Sequence, residues 1–422
     1  MIKKVPIKEV PNPKTLTQHL YENSEDYIIL LESGQGYFER ARYTIIAWDV
    51  KEHYVYYPDD TSDPYIELKN LVKSCSHDFP SHDLLIGYLS YEACTLIEPY
   101  LRDYVQDWGK WPLIEFIKPK YVIIYDNLLG RVYTNTDIPK YVDVKDDVFK
   151  IHDVKEHIDR KIFEEWVFDA LERIKSGEIF QVVLSRWIVY EVSGNYFKIY
   201  ERLSSINPSP YMYFTKFQNK YIIGTSPELL VKVSDYKVET HPIAGTRPRG
   251  KDVFEDLKLE DELIESEKDR AEHIMLVDLA RNDLGKICRY GTVKTTTLFT
   301  IEKYSHVQHL VSRVEGVLDK GMNIIDALWA TFPAGTVTGA PKPRAMELIF
   351  HYEKRAREPY AGAIGFMNCR GGEFAIIIRS IIISDNEMKL QAGAGLVYDS
   401  KPELEYLETQ HKLEAMLKSV ET

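Results

Sequence analysis

The sequence predicts an α+β protein in which antiparallel β-sheets form a sandwich core flanked by helices, arranged as two interleaved subdomains. Three observations predict this class. Segments with strand character outnumber helical segments and mostly arrive as hairpins, which is not the pattern of alternating βαβ units. Neither GxGxxG nor GxxxxGK[ST] occurs, so dinucleotide and P-loop sites have no support. The chain has 422 residues, which is more than one ordinary compact core usually holds.

The composition is that of an ordinary globular protein. Hydrophobic residues make up 44% and charged residues 28%, and the formal net charge is −12. This acidic balance disfavours nucleic acid and anionic membranes as partners. No signal segment opens the chain, and no apolar run approaches the roughly 20 residues of a membrane span. The cysteines show no metal or redox spacing, so four reduced thiols in a cytoplasmic protein are expected; they are Cys75, Cys94, Cys288 and Cys369.

Residues 1–155 are predicted to form short strands with irregular connections. YIILLES and RYTIIAWD are rich in β-branched and apolar residues and are separated by the turn SGQG. YVIIYDNLLGRVYTNT predicts a hairpin around Asp126 to Gly130. The stretch from Pro139 to about His157 is polar and acidic, which makes it the candidate boundary. The chain therefore divides into an N-terminal region, 1–155, and a second domain, 156–422.

The second domain is predicted to mix helices with strand hairpins. DRKIFEEWVFDALERIKSGE has helical spacing of apolar residues and stops near Gly177. A long helix is expected from about Asp256 to Leu284. FAIIIRSIIISDNEMKLQAGAG predicts a hairpin that turns at Asp385 and Asn386. The remaining predictions are a strand over IFQVVLSRWIVYEV, a strand meander over 211–240, and a last helix opened by a capping box of Ser400 and Glu403.

Two pairs of carboxylates are the first candidate site residues. Asp269 and Glu272 lie three residues apart on one predicted helix, as do Glu405 and Glu408 on another, with Lys412 one turn further. This spacing puts each pair on one helix face. A lone pair is most simply a solvated acidic face, but each pair borders an apolar stripe. Two such pairs that converge would suit Mg²⁺, which takes a few carboxylates and completes its shell with water and substrate oxygens.

Glycine-bearing loops and isolated basic residues are the other candidates. Glycine lets backbone N–H groups approach an anionic ligand, although one such loop alone is more often a plain turn. Arg379 interrupts an apolar strand, where a guanidinium needs a structural or a ligand carboxylate. His306 and His309 are a weak metal signal. These residues predict an enzyme for a multiply anionic small molecule, without a particular reaction. The loops are AGTRPRG, FPAGTVTGAPKPRAM, YAGAIGF and QAGAGLVYDS.

The motifs PIAGTRPRG, AEHIMLVDLARNDLG, FPAGTVTGAPKPRAM, YAGAIGF, AIIIRS and AGAGLVYDSKPELEYLETQHK, in this order, resemble those of the chorismate-utilising enzymes. The resemblance is dense over 155–422 and looser before. It implies that Glu272 and Glu408 hold Mg²⁺, with Asp269 and Glu405 beside them, and that His309 and Thr336 serve the ring chemistry and pyruvate elimination. The implied chorismate-binding residues are Gly245, Thr246, Tyr360, Arg379, Gly393, Gly395 and Lys412.

Two positions separate members of that family. Relatives that add water to chorismate use a lysine base where this chain has Gln181, which takes no proton at neutral pH, so ammonia is the favoured nucleophile. Many aminodeoxychorismate synthases carry a nucleophilic lysine where this chain has Ala244. The resemblance therefore points to anthranilate synthase large subunits, which aminate chorismate and release pyruvate. Aminodeoxychorismate synthase component I and a non-catalytic tryptophan-sensing homologue remain alternatives, and isochorismate synthase is disfavoured by Gln181.

A regulatory site and a partner are also implied. LLES and NPSPYM resemble the two halves of the tryptophan feedback site of anthranilate synthase large subunits, although alone each is simply a strand end or a double-proline turn. No amidotransferase half is found, so ammonia is expected from a separate glutamine amidotransferase subunit in a hetero-oligomer. The implied tryptophan-binding residues are Glu32, Ser33, Asn207, Pro210, Tyr211 and Met212.

Overall fold

A computed structural model describes residues 3–23, 25–34, 36, 41–73, 83–138, 148–304 and 307–420. Its strands are β1 (Lys3–Pro6), β2 (Tyr27–Ser33), β3 (Tyr43–Tyr56), β4 (Leu85–Leu89), β5 (Ile114–Asp126), β6 (Arg131–Thr134), β7 (Phe149–His157), β8 (Gln181–Gly194), β9 (Tyr211–Phe217), β10 (Lys220–Ser226), β11 (Leu229–Ser234), β12 (Lys237–Thr240), β13 (Ile243–Pro248), β14 (Lys294–Lys303), β15 (Val307–Val317), β16 (Gly339–Ala340), β17 (Ala363–Asn368), β18 (Gly371–Ile376), β19 (Ser380–Ser384) and β20 (Glu387–Leu396). Its helices are α1 (Pro13–Glu22), α2 (Pro64–Leu71), α3 (Cys94–Ile97), α4 (Arg160–Lys175), α5 (Phe197–Ile206), α6 (Val253–Glu265), α7 (Glu267–Gly285), α8 (Ile324–Thr331), α9 (Lys342–Glu353) and α10 (Pro402–Val420).

The strands form one continuous sheet that divides at the long strand β5. One run reads β7–β8–β20–β19–β10–β9–β2–β3–β5, and β6 and β1 continue it from one end of β5. The other end of β5 pairs with β4, and a second run follows through β17, β18, β11 and β12 to β15, which also pairs with β13 and β14. All of these pairings between described strands are antiparallel.

The two runs pack face to face around the larger hydrophobic core. Ile29 and Ile222 of the first run belong to this core together with Val231 of the second run. Their sequence neighbours Ile28 and Ile223 point to the opposite face and join a second core, which α1, α5 and α10 cover. Successive strand residues point to opposite faces of a sheet, so one run of strands serves two cores. The predicted sandwich flanked by helices is confirmed.

Strands from before and after residue 155 are neighbours in this sheet, as interleaved subdomains require. β2 pairs with β9, and β4 pairs with β17. The division into 1–155 and 156–422 itself stays a prediction. Two predicted hairpins are confirmed: β5 with β6, and β19 with β20. The second turns at Asp385 and Asn386, with φ of 52° and 63°, a left-handed conformation that these two residue types tolerate better than most.

Three local predictions are wrong. The segment from Asp256 to Leu284 is two helices, since Ser266 ends α6 and its hydroxyl caps α7 by accepting from the Asp269 N–H. Arg379 is not within a strand but follows the end of β18, with φ of 52°. The Ser400 hydroxyl accepts from the Val397 N–H, and α10 begins at Pro402, so no capping box forms at Ser400.

The cysteines also differ from expectation. Cys94 and Cys288 are free thiols, whereas Cys369 is disulfide-bonded, so the expectation of four reduced thiols is wrong. Sequence spacing detects local motifs, and it does not show which thiols the fold brings together. Cys75 and His306 lie outside the described residues. Within the described part of the chain, no helix is long and apolar enough to cross a membrane.

A fully buried ion pair joins α9 to the sheet. The Arg357 Nη2 lies 2.6 Å from Glu353 Oε1, and both side chains are 1% exposed. The guanidinium also donates to the carbonyl oxygens of Val337 and Val183, each at 2.8 Å. Burial acts to lower the pKa of Arg357, but Glu353 more than offsets it and holds the pKa above its usual value. The pair therefore stays charged and fixes β8 against the turn that precedes β16.

We expect Glu353→Gln to lower the free energy of unfolding by about 3–5 kcal/mol, because it leaves a buried guanidinium without its counter-charge. Urea unfolding followed by circular dichroism measures this. The matched control is Asp278→Asn, which removes the acid of an exposed pair with Arg281 and should cost less than about 1 kcal/mol. An equal loss of unfolding free energy in the two variants would show that the buried ion pair stabilises the fold no more than the exposed one does.

Candidate active site

A cavity of about 180 Å³ lies among β13, β15, β20, α10 and the turn that follows α8. Most of the residues singled out in the sequence for substrate and catalysis line it, although they come from seven separate segments. Those that line it are Gly245, Thr246, His309, Thr336, Tyr360, Arg379, Gly393 and Lys412. Those that do not line it are Gln181, Gly395, Asp269, Glu272, Glu405 and Glu408. The structure therefore brings the first group together, and the roles of both groups stay predictions.

The walls of this cavity carry a cation that no protein carboxylate neutralises. Among the described residues, none forms an ion pair with the Arg379 guanidinium. Burial lowers the pKa of Arg379, while Tyr304 and Glu228 act to raise it. Lys412, the second cation, donates to Glu408 Oε1 at 2.7 Å and to the Gly393 carbonyl at 2.8 Å. An uncompensated guanidinium inside a cavity favours a ligand with a carboxylate.

Glu228 is a site residue that the sequence interpretation missed. It is 6% exposed and lines the same cavity as these cations. Burial raises the pKa of its carboxyl to about 8, although Thr336, Arg379 and Lys412 act to lower it. The carboxyl is therefore largely protonated at neutral pH and has a proton to donate. The sequence signal is slight: a single acid between the turn Ser226–Pro227 and the apolar start of β11.

His309 faces the cavity as a neutral imidazole. Its Nδ1 lies 3.0 Å from both the Gly245 carbonyl and the Thr246 hydroxyl. A carbonyl oxygen only accepts, so Nδ1 carries the hydrogen and Nε2 keeps its lone pair. Burial, with a smaller contribution from Arg379, lowers the pKa of His309 to about 4. Nε2 has no partner among the described residues, so it is available to a ligand.

Glycine is required at position 245 for two reasons. Its φ is +65°, which side-chain-bearing residues rarely adopt, and a Cβ there would lie 2.8 Å from Leu263 of α6. The same Cβ would lie 3.4 Å from Asp269 Oδ1, so β13, and not the loop expected from the sequence, runs directly against α7. Ala244 precedes it in the cavity wall, 8% exposed, and offers no nucleophile. Strand β13 therefore connects the cavity to the carboxylates on α7.

The four predicted metal ligands are close enough to repel one another. Burial raises the pKa of Glu272, and Asp269 and Glu408 raise it further. Burial likewise raises the pKa of Glu405, with a contribution from Glu408. Mutual repulsion between carboxylates of α7 and α10 is what a divalent cation would relieve. The donor set therefore fits Mg²⁺.

The carboxylates are not preassembled for a metal. Arg247 Nη2 lies 2.8 Å from Asp269 Oδ2, and Lys412 holds Glu408. Among the described residues, no group of three or more His, Cys, Asp or Glu side chains is arranged to hold a metal ion. Binding of a cation at these oxygens therefore requires the two ion pairs to loosen or water to complete the contacts.

Gln181 connects the metal candidates to β20. Its amide Nε2 donates to Glu272 Oε1 at 2.8 Å, and a Cβ on Gly395 would lie 3.0 Å from the same nitrogen. Gln181 is 2% exposed. It therefore orients Glu272 through an amide that stays neutral at any pH.

A smaller cavity of about 40 Å³ is lined by the neighbouring ends of β2 and β9 and by residues of β17 and β18. Glu32 pairs with Met212 and Ser33 with Tyr211 across these two strands, so the two predicted halves of the regulatory site are neighbours. Five of the six predicted residues line this cavity: Glu32, Ser33, Pro210, Tyr211 and Met212. Asn207 does not line it and donates instead to the Thr225 hydroxyl at 3.0 Å. Burial raises the pKa of Glu32, against the effects of Lys14 and Tyr200.

Comparison with known proteins shows the family to which this chain belongs. Residues 26–418 match the family of chorismate binding enzymes. Anthranilate synthase component 1 from Saccharolobus solfataricus is 50% identical over 391 residues, which cover 92% of this chain and 92% of that protein. The protein of the same name from Aeropyrum pernix is 46% identical over 420 residues, 98% of this chain and 95% of that protein. The crystal structure of anthranilate synthase component I from Streptococcus pneumoniae TIGR4 aligns with a TM-score of 0.77 at 33% sequence identity, covering 89% of this chain and 92% of that chain. With the family match spanning nearly its whole length, this chain belongs to the chorismate-binding enzymes.

Proposed function

We propose that the chain is the chorismate-converting subunit of an anthranilate synthase. It aminates chorismate with ammonia in a Mg²⁺-dependent reaction and eliminates pyruvate to give anthranilate, the first step of tryptophan biosynthesis. The single observation that carries this proposal is the cavity lined both by Arg379, which has no ion-pair partner among the described residues, and by Glu228, whose pKa burial raises to about 8. Two relatives named anthranilate synthase component 1, 50% and 46% identical, support it and do not favour the two alternatives.

The charges of the cavity suit a dianionic substrate. Chorismate carries a ring carboxylate and an enolpyruvyl carboxylate. Arg379 is positioned to bind the enolpyruvyl carboxylate bidentately, with the Tyr360 hydroxyl and the Gly393 backbone at its side. Mg²⁺, held by Glu272 and Glu408 with Asp269 and Glu405 around it, would bind the ring carboxylate and neutralise its charge.

Glu228 is positioned to act as the general acid. The hydroxyl on C4 is a poor leaving group until its oxygen receives a proton. Donation from the Glu228 carboxyl lets the C4–O bond break and water leave as ammonia attacks C2. The neutral Nε2 of His309 and the Thr336 hydroxyl line the same cavity, close to the ring. They are positioned to assist the subsequent proton loss and pyruvate elimination that make the ring aromatic.

The choice of ammonia over water rests on two neutral residues. Gln181 holds Glu272 but accepts no proton, so it does not activate water. Ammonia already has a nucleophilic lone pair. Ala244 removes the covalent route that a lysine in its place would open. The absence of any charged base at either position favours direct attack by ammonia.

The remaining parts of the proposal are the delivery of ammonia and the inhibition of the enzyme by tryptophan. The ammonia donor is a separate glutamine amidotransferase subunit, as the name component 1 of the relatives suggests, and the two form a hetero-oligomer in the cytoplasm. Tryptophan binds against the neighbouring ends of β2 and β9, with its charged end near Glu32 and Ser33, and the cavity of about 40 Å³ there must widen to admit it. As a ligand of a distinct site, it lowers activity through a coupling free energy between that site and the cavity.

The direct test is one assay with purified chain, chorismate, Mg²⁺ and ammonium at mildly alkaline pH. We expect anthranilate fluorescence and pyruvate in equal amounts, loss of both with EDTA, and recovery with excess Mg²⁺. Loss of chorismate without pyruvate would contradict the proposal, because the reaction would then stop at an amino- or hydroxy-chorismate. Full activity in EDTA would show that the reaction does not need Mg²⁺.

Replacement of Glu228 tests the general acid. We expect Glu228→Gln to lower kcat about 10²-fold or more with little change in KM for chorismate. The wild-type kcat, measured at a constant concentration of free NH3, should fall as pH rises through about 8, because the acid form is the active form and that is its pKa. The Gln variant should lack this fall. If kcat of the variant still falls as pH rises through about 8, a group other than Glu228 causes that fall.

The regulatory site is tested by Ser33→Leu, which fills the small cavity lined by the ends of β2 and β9. We expect tryptophan to lose at least about tenfold in potency, while kcat and KM for chorismate without tryptophan stay within about twofold. Isothermal titration with tryptophan checks that binding itself is lost. Ser205→Leu, on an exposed position of α5, is the control and should keep wild-type inhibition. If both variants stay sensitive, tryptophan binds elsewhere.

A further inference from the structure

A second small cavity lies directly behind Glu228. It holds about 40 Å³, and Glu228 and Thr336 line it as well as the substrate cavity. These two residues therefore form the partition between the two spaces. Ligand sites for small organic molecules usually measure about 300 Å³ or more, whereas a water needs only ~10–15 Å³. The rear cavity thus has room for a few molecules the size of water and excludes the substrate.

The walls of the rear cavity are mostly apolar. β11, α7 and the turn after α8 supply them, and Asp283 at its edge is already bound to Lys342 at 2.6 Å. Leu279, Ala280 and Gly335 are partly exposed, so the space reaches solvent between α7 and that turn. A Cβ on Gly335 would lie 2.2 Å from Leu279, which shows how narrow this opening is. The apolar wall residues are Leu229, Leu230, Pro242, Leu276, Leu279, Ala280, Ala334 and Ile376.

We propose that this rear cavity is the path by which the water formed at C4 leaves and by which Glu228 regains its proton. The inference rests on the proposed function, since it gives the departing hydroxyl a route. On the side of Glu228 and Thr336 that faces the larger cavity, bound chorismate and the cations that hold it would leave no room for water. The rear is the side on which Glu228 meets a space of the right size that connects to solvent.

The step balances without any further reactant. The Glu228 O–H bond breaks, its proton bonds to the C4 oxygen, and the C4–O electron pair leaves on that oxygen as one water molecule. The carboxylate then takes one proton from water in the rear cavity. Ammonia gains one bond to carbon at C2 and loses one proton from its nitrogen to solvent, so no net proton is consumed.

Ala280→Leu tests the path by filling the rear cavity from α7. With chorismate and ammonium both saturating, we expect kcat to fall about tenfold while KM for chorismate stays within about twofold. The solvent deuterium isotope effect on kcat should rise, because proton return then limits turnover. Ala334→Val, from the opposite wall, should act in the same way if Ala280→Leu does not fold. Arg281→Leu, which places leucine on the exposed face of the same helix, is the control and should behave as wild type.

A double variant separates this role from a packing defect. In the Glu228→Gln background, Ala280→Leu should have no further effect, because loss of the acid makes the chemical step far slower than passage of water or a proton through the rear cavity. The same proportional loss in both backgrounds would overturn the proposal. So would an unchanged isotope effect, or a loss confined to kcat/KM for ammonium, which would make the cavity an inlet for ammonia. If the wild-type chain forms no anthranilate at all, the proposed function itself fails; wild-type activity with an unaffected Ala280→Leu variant refutes the rear path alone.

Discussion

The buried pair of Arg357 and Glu353 is the interaction on which the site depends. Its guanidinium holds carbonyl oxygens of β8 and of the turn that carries Thr336, and it lies 4.6 Å from the centre of the Tyr91 ring. Glu353 in turn accepts from the Ser185 N–H and hydroxyl. The Glu92 carboxylate accepts from the Arg357 N–H at 2.7 Å, which anchors the loop leading to Tyr360. One satisfied charge network thus positions three walls of the substrate cavity.

The substrate cavity shows the opposite arrangement. Arg379 has no counter-ion in the described part of the chain, burial raises the pKa of Glu228 to about 8, and the carboxylates of α7 and α10 repel one another. Unpaired or mispaired charges are costly inside a protein, so a fold that keeps them needs compensation elsewhere. The fully satisfied pair behind the cavity and the two large hydrophobic cores supply it. A carboxylate bound at Arg379 and a cation bound between α7 and α10 would each relieve one of these imbalances.

Much of the fold was predictable from the sequence because local patterns are sufficient for it. The helix α4 follows from the spacing of its buried residues, and the β19–β20 hairpin follows from Asp385 and Asn386. The carboxylate pairs were found because three-residue spacing is visible in a helix. Glu228 was missed because its chemistry comes from burial, which only the packed structure shows. The end of α6 at Ser266 is not visible in the sequence, because a serine can also lie inside a helix. Only the structure shows that its hydroxyl caps α7.

The pairing of β2 with β9 has a consequence for synthesis. The partner strand of residues 27–33 begins at Tyr211, so β2 leaves the ribosome long before its neighbour on that side exists. β4 likewise waits for β17, which begins at Ala363. Contacts this distant in sequence slow folding and leave strand edges open in the meantime. The N-terminal region therefore completes its sheet only near the end of translation, and the nascent chain is the state most exposed to aggregation.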